Sequence, residues 1–264
     1  MPTAPDFSSI EEVEALGFAS MQENVSSAFR ERTGARVARV AGAVTILAPK
    51  AEMAALNRVW LPGEAPPVTV ATLETIRAYA RNVGSRKMVA HCPTWAASPE
   101  MMSEHGFELR PSMFKFARRT SLDPPPESLR IEQLKANDAI QFGQVAVASN
   151  ETEDWMSDGF NSTVGLPGWI HYLAFDSDTP IAVAAMFSRD RYAWCCIAAT
   201  IPGYRGRGAQ LALLTRRVRD AARLGIEWIV AEARVDNPGS ARNMLRAGFE
   251  IVYERPNYTA DLTV

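Results

Sequence analysis

The stretch ATIPGYRGRGAQLALL, residues 199–214, sets three glycines, two arginines and a proline between a run of strand character and a run of helix character. Gly206 and Gly208 let the chain turn tightly with its N–H groups facing inward as an anion-binding nest. The helix that follows adds four unpaired N–H groups and the positive end of its dipole. Arg205 and Arg207 add formal charge, so the stretch reads as a seat for a phosphate or pyrophosphate. Its glycines, Gly203, Gly206 and Gly208, follow G-x-x-G-x-G. A dinucleotide fold needs G-x-G-x-x-G and a P-loop needs a lysine after its last glycine, so NAD and ATP fit poorly.

Outward from the loop the chain alternates strands and helices. The helix expected from Gly208 to Leu224 carries Leu211, Leu214, Val218 and Ala221 on one face, with Gly225 ending it. Before the loop, GWIHYLAF and PIAVAAMFS, joined by DSDT, read as an antiparallel hairpin, and RYAWCCIAAT as a third strand. LRIEQL and ANDAIQFGQVAVAS read as a strand and a helix capped by Asn137. After the loop helix come the strand EWIVAEARV, the short helix PGSARNMLRA and a terminal pair, FEIVYE and YTADL. This order predicts an α/β (α+β) mixed sheet with helices on its faces.

SLDPPPESL, residues 121–129, is the clearest break, because consecutive prolines forbid helix and favour an extended spacer. It predicts two domains, 1–122 and 123–264. A weak repeat supports the division: EHGFELRPSMFKFARR (104–119) and RAGFEIVYERPNYTAD (246–261) each show a helix end, a Gly-Phe-Glu step and a following pair of strands. In the first half, VATLETIRAYARNVG reads as an amphipathic helix and RKMVAHC as a strand.

A strand, then P-x-x-R-G-x-G-A, then a long helix resembles the pyrophosphate-binding segment of the GCN5-related N-acetyltransferase (GNAT) family. A second family segment, NPGSARNMLRAGF, follows in the right order about 30 residues later. The resemblance covers about residues 128–264, and RNMLRAGFEIVYERPNY looks like a tandem subgroup with a complete C-terminal copy and a degenerate N-terminal one. LNRVWLPG (56–63) looks like a landmark of that first copy, which lacks R-G-x-G-A and is not expected to bind coenzyme A this way. The resemblance implies that Ala199, Thr200 and Ile201 expose backbone groups to the pantetheine arm of acetyl-CoA. It implies that Arg205, Gly206, Arg207, Gly208, Ala209 and Gln210 hold the pyrophosphate, that Asn237 bonds the arm near the thioester, and that Asn243 lies nearby. An amide near the end of CCIAAT would polarise the thioester carbonyl. The sequence departs from the family in two places: Gln210 stands where Gly or Ala is usual, and Met244 where many relatives carry a proton-donating tyrosine. Methionine cannot donate a proton, which leaves Tyr253 and Tyr258 as candidate acids and Glu232 as candidate base for the acceptor amine.

From Ala136 to Ser188 there is no Lys or Arg but seven acids. Glu153, Asp154 and Trp155 would form an acidic, aromatic rim suited to a cationic amine, with an ordinary solvated loop as the alternative. His91, His105 and His171 show no paired ligand spacing, so no metal is expected; His171, alternating within its strand, could face the cleft. Cys92, Cys195 and Cys196 build no disulfide framework. With 47% hydrophobic and 22% charged residues and a net charge of −2, the chain reads as globular, without the basic excess of a nucleic-acid binder. No signal peptide or membrane span is expected, so the cytoplasm is the default. The reading is an acetyl-CoA-dependent N-acetyltransferase acting by direct transfer on a primary amine of a small molecule, as a monomer or homodimer. Its alternatives are a catalytically silent CoA-binding sensor and a peptide or protein N-acetyltransferase.

Overall fold

Each half of the chain ends a helix in a left-handed glycine and enters a long strand. Gly106 (φ 77°) follows one helix and Gly248 (φ 78°) the other. Beside each, an arginine donates to the carbonyl just before the glycine: Arg77 to His105 and Arg118 to Ala247. A Cβ at Gly106 would stand 2.8 Å from Arg77 Nη1, and at Gly248 3.1 Å from Arg118 Nη1. Only glycine combines that φ with that approach.

The computed structural model describes residues 4–61, 68–124 and 127–263. Pro62 and Gly63 of the LNRVWLPG landmark, and Pro125 and Pro126 of the spacer, lie outside the described residues. In chain order the elements are α1 (Phe7–Glu23), α2 (Ser27–Thr33), β1 (Arg36–Val40), β2 (Ala43–Leu47), β3 (Arg58–Trp60), α3 (Val70–Asn82), β4 (Lys87–His91), α4 (Pro99–Glu104) and β5 (Phe107–Arg119). Then follow β6 (Arg130–Gln133), α5 (Ala139–Asn150), α6 (Met156–Asn161), β7 (Trp169–Asp176), β8 (Thr179–Arg189), β9 (Tyr192–Thr200), α7 (Ala209–Arg223), β10 (Trp228–Arg234), α8 (Pro238–Arg246) and β11 (Glu250–Asp261). This is the mixed α/β arrangement expected, with parallel and antiparallel pairs together.

The chain forms two compact units that are not its two halves cut after residue 122. One, here the C-terminal unit, comprises Met1–Val13, Lys115–Ala233 and Asn237–Val252; the other, the N-terminal unit, comprises Glu14–Phe114, Arg234–Asp236 and Tyr253–Val264. The reason is visible in β5 and β11. Each was expected as a pair of strands and is instead one strand, 13 and 12 residues long, contributing residues to both units. Pro111 and Pro256 interrupt neither, because a proline removes one ladder donor but keeps an extended φ. Its carbonyl stays usable: Pro256 O accepts from Cys92 N at 3.4 Å, and Pro111 O from Asn257 Nδ2 at 3.2 Å.

In the N-terminal unit the strands run β1-β2-β3-β4-β11. β3 and β4 are parallel, and β11 is antiparallel to β4 with Asn257 opposite His91. Leu73 and Ile76 of α3 and Met102 of α4 pack on Val59, Met88, Ala90 and Tyr258. The opposite face holds a buried polar cluster. Arg255 Nη1 meets Glu14 Oε1 at 2.8 Å with both side chains fully buried. Trp60 Nε1 donates to the same oxygen at 2.9 Å, and Arg255 Nη2 lies 2.9 Å from His91 Nδ1. Burial, then the Arg255 charge, hold the His91 pKa well below its usual value.

In the C-terminal unit the strands run β5-β10-β9-β8-β7-β6. The β7–β8 hairpin pairs Trp169 with Phe187 through Asp176 with Thr179, as the alternation predicted. The helix after β6 starts later than expected and Asn137 does not cap it. A short 3-10 turn, Ala136–Asp138, intervenes, closed by Lys135 N donating to Asp138 Oδ2 at 2.7 Å. A buried charge pair also appears here: Lys115 of β5, 1% exposed, reaches Glu232 Oε2 of β10 at 3.2 Å and Glu11 Oε1 of α1 at 3.9 Å.

Breaking a buried ion pair strands its remaining charge. Arg255→Met is expected to lower unfolding stability by about 3–5 kcal/mol, measured by chemical denaturation. A loss within the scatter of exposed substitutions would show that the cluster bears no strain when opened.

Candidate functional site

β9 and β10 run parallel for only three pairs, Tyr192–Trp228, Ala193–Ile229 and Trp194–Val230. Beyond them the register stops. On its other side β9 carries a bulge: Val183 opposes Ala199 while Ala185 opposes Cys196, so β9 has one residue more than β8 between those pairs. Within that interval Ile197 takes φ 46°. A β-branched residue in the left-handed region is strained, and a bulge of this kind re-aims the amides that follow it. Ala198, Ala199 and Thr200, which come next, line a cleft of about 740 Å³.

The cleft lies wholly within the C-terminal unit. One wall is α7, through Ala209, Gln210, Leu211, Leu214 and Arg217; the facing wall is α8, through Gly239, Ser240, Asn243, Met244 and Arg246, with Asn237 before it. Gly206 (φ 81°) and Gly208 (φ 83°) form the mouth. A Cβ at Gly206 would meet nothing within 4 Å, and at Gly208 only Ser128 Oγ at 3.5 Å. Glycine is therefore required here for backbone conformation, not for space. Gly208 stands at the N-cap of α7 and provides no side-chain cap, so the first amides of a 15-residue helix face the cleft with their dipole uncompensated by a capping oxygen.

The expected site residues fall as follows. Ala199, Thr200, Arg205, Gly206, Gly208, Ala209, Gln210, Asn237 and Asn243 come together in the cleft lining. Ile201 and Arg207 are not among them. Ile201 N bonds Ile181 O at 2.9 Å, and Arg207 turns to Asp176 Oδ2 at 2.6 Å and stacks over Tyr204. Arg205 reaches back to Thr200 O at 3.3 Å. Gln210, the residue outside the family pattern, donates through Nε2 to Thr200 Oγ1 at 3.1 Å, which ties the start of α7 to the end of β9. Asn237 Oδ1 caps α8 by accepting from Ser240 N at 3.2 Å.

Neither candidate acid lines the cleft. Tyr258 is 2% exposed in the core of the N-terminal unit, and burial pushes its hydroxyl pKa up. Tyr253 belongs to the same unit, edge-on to Trp95 at 4.9 Å. Their positions follow from β11 pairing with β4, a long-range fact no local pattern carries. Glu232 also lies outside the lining, with its carboxylate engaged by Lys115. Glu153 and Asp154 are exposed and Trp155 half-buried just before α6, where the carbonyls of the two acids start the helix.

His171 does not face the cleft. It is 1% exposed, its Nε2 is 3.2 Å from Thr163 Oγ1, and it sits edge-on to Phe142 at 4.8 Å. Burial lowers its pKa to about 3. No group of three or more potential metal-ligating side chains occurs among the described residues. Among the described residues no helix is long and apolar enough to cross a membrane. Sequence reasoning placed Met244 where relatives carry the tyrosine, and the structure puts it in the cleft wall; it did not single out Arg217. Spacing carried the signal, since Gln210, Leu214 and Arg217 recur at i, i+4, i+7 on one helix face.

The His171 environment sets a pH dependence. An unfolded histidine charges near pH 6.5, while the folded one resists to about 3. Between those values the unfolded chain binds the extra proton, so this contribution to stability is present above 6.5 and is lost on acidification. His171→Phe is expected to flatten the stability–pH slope in that window by up to about 1.4 kcal/mol per unit, read by denaturation at stepped pH; an unchanged slope would remove His171 from the account.

Residues 139–249 match the acetyltransferase (GNAT) family model. No curated protein matches the chain. Among solved structures, a GCN5-related N-acetyltransferase from Kribbella flavida superposes with TM-score 0.68 at 16% identity, over 97% of this chain and 96% of that one. A GCN5-related N-acetyltransferase from Sphaerobacter thermophilus gives 0.59 at 15%, over 98% and 94%. A tandem GNAT protein from the clavulanic acid biosynthesis pathway gives 0.58 at 15%, over 84% and 79%. Glycine loop, splayed strands and cleft all lie inside the matched segment, residues 139–249, so the part of the chain that holds the candidate site is the part similar to the GNAT acetyltransferases.

Proposed function

We propose that the cleft binds acetyl-CoA and that the protein transfers its acetyl group directly to a primary amine of a small molecule. The observation that carries this reading is the N-terminus of α7. Gly208 leaves its amides without a side-chain cap, at the mouth of a cleft that continues between α7 and α8. The residues fit the donor. Amides of Gly206, Gly208, Ala209 and Gln210 suit a pyrophosphate. Ala199 and Thr200 offer backbone groups to the arm, and Asn237 and Asn243 offer side-chain amides. Acetyl-CoA supplies an activated thioester. The bulge at Ile197 aims an amide of Ala198 or Ala199 at the site where the carbonyl oxygen gains charge, and such donors act most strongly when already in place. Holding donor and acceptor together contributes the rest. Exposed Glu153 and Asp154 would steer a cationic acceptor. The reading places the protein in the cytoplasm, as a monomer or homodimer, with no nucleic-acid partner.

The first copy of the helix frame lacks such a mouth. Thr69 caps α3 with its own hydroxyl, accepting from Thr72 N at 3.2 Å within a capping box. With a side-chain oxygen already at its N-cap, α3 is a poorer seat for a pyrophosphate than α7.

One observation favours a second reading, a CoA-binding sensor without turnover: Met244 lines the cleft and, among the described residues, no carboxylate, histidine or cysteine joins it there. Titration calorimetry with acetyl-CoA, followed by thiol release with a panel of amines, separates the two. Binding with transfer supports the enzyme; binding with no transfer to any amine supports the sensor. Gly208→Val forces a β-branched residue into a left-handed φ, at a cost of about 1–3 kcal/mol locally. It is expected to abolish acetyl-CoA binding while the protein still unfolds cooperatively, with stability lowered by no more than that local cost. Unchanged affinity would place the nucleotide elsewhere.

A further inference from the structure

Arg217 is fully buried, on the α7 face that lines the cleft. Its Nε donates to Leu213 O at 3.1 Å and its Nη1 to Ala185 O at 3.2 Å, while Nη2 has no hydrogen-bond partner. Neighbouring arginines behave differently. Arg216 and Arg223 pair with Asp220, and Arg219 with Glu127. Among the described residues Arg217 has no ion pair. A buried cation without a counter-ion is costly, and here it borders the cleft. Its charge reaches the sheet face below: it opposes the upward push of burial on the Cys195 thiol, and acts likewise at Tyr172, whose hydroxyl donates to Asp220.

We infer that Arg217 is the cation that stabilises the departing thiolate of coenzyme A. This rests on the acetyl-CoA reading and goes beyond it. Arg217 follows Ala209 by eight residues, about 12 Å along the helix, too deep for the pyrophosphate seat at the tip. Across the cleft stands Met244, which has no proton to give. The other cleft cations, Arg205 and Arg246, are exposed. As the acceptor nitrogen bonds the acyl carbon, the carbon–sulfur bond breaks and its electron pair stays on sulfur. The nitrogen's proton passes to water. No acid is needed if the negative charge is met by a guanidinium already in place.

The test reads the thiol itself. Coenzyme A bound to the wild-type protein is expected to ionise about one pH unit or more below free coenzyme A, followed by ultraviolet thiolate absorbance. Arg217→Met is expected to return the bound thiol to the free value and to lower kcat about 100-fold, with desulfo-CoA affinity unchanged. Arg217→Lys is expected to retain part of the shift. A wild-type thiol that titrates as it does in free coenzyme A overturns the inference, and needs no variant to do so. So does an equal shift in Arg217→Met, or a loss confined to acyl donors bearing a carboxylate, which would make Arg217 a selector of the acyl group. Failure of coenzyme A to bind at all overturns the transferase reading and this inference with it; binding with an unshifted thiol overturns the inference alone.

Discussion

An α-helix must find partners for its first four amides, and in this protein α3 and α7 meet that demand in opposite ways. α3 turns inward: Thr69 and Thr72 satisfy the N-terminus from within the chain. α7 turns outward. Two left-handed glycines bring the chain into the helix with no side-chain oxygen at the cap, and the strand before it is already bulged at Ile197. Capping by a hydroxyl is worth about 1 kcal/mol. Forgoing it at the rim of a cleft makes sense where an anion provides the same hydrogen bonds and more charge.

The surrounding frame repeats one local arrangement. Helix end, left-handed glycine, arginine on the preceding carbonyl and long strand occur once in each unit, at Gly106 with Arg77 and at Gly248 with Arg118. The helices that end at these glycines are also entered alike, α4 through a Ser98 cap and α8 through an Asn237 cap; the entries that differ are those of α3, with a threonine cap, and α7, with a glycine. Function separates from frame at a handful of backbone angles.

Much of the site was legible because its logic is local. The loop from Ala199 to Gln210 announces a flexible, positive helix entry within a dozen residues, and eight of its twelve residues line the cleft, together with Asn237 and Asn243. The hairpin from Trp169 to Arg189 and the ends of α7 followed from alternation and glycine placement. What escaped was long-range. Tyr253 and Tyr258 go with the N-terminal unit because β11 pairs with β4, a partnership set by packing far from residue 253. Glu232 looked like an open base until Lys115, distant in the chain, was found against it. Asn137 lost its capping role to a 3-10 turn of nearly equal local merit.

Buried charge in the C-terminal unit takes two forms, and the contrast gives each a meaning. Lys115 is surrounded by carboxylates from α1 and β10, so its charge is answered within the fold and serves to join those elements. Arg217, equally inaccessible, has only two backbone carbonyls, which solvate a guanidinium without neutralising it. A fold that can pair one buried cation so fully has no packing reason to leave another half-served. Under the proposed acetyl transfer the asymmetry is understandable: the missing negative charge would arrive with the substrate and be largest as the acyl group departs, so that the desolvation cost borne by the resting protein would be recovered in the transition state.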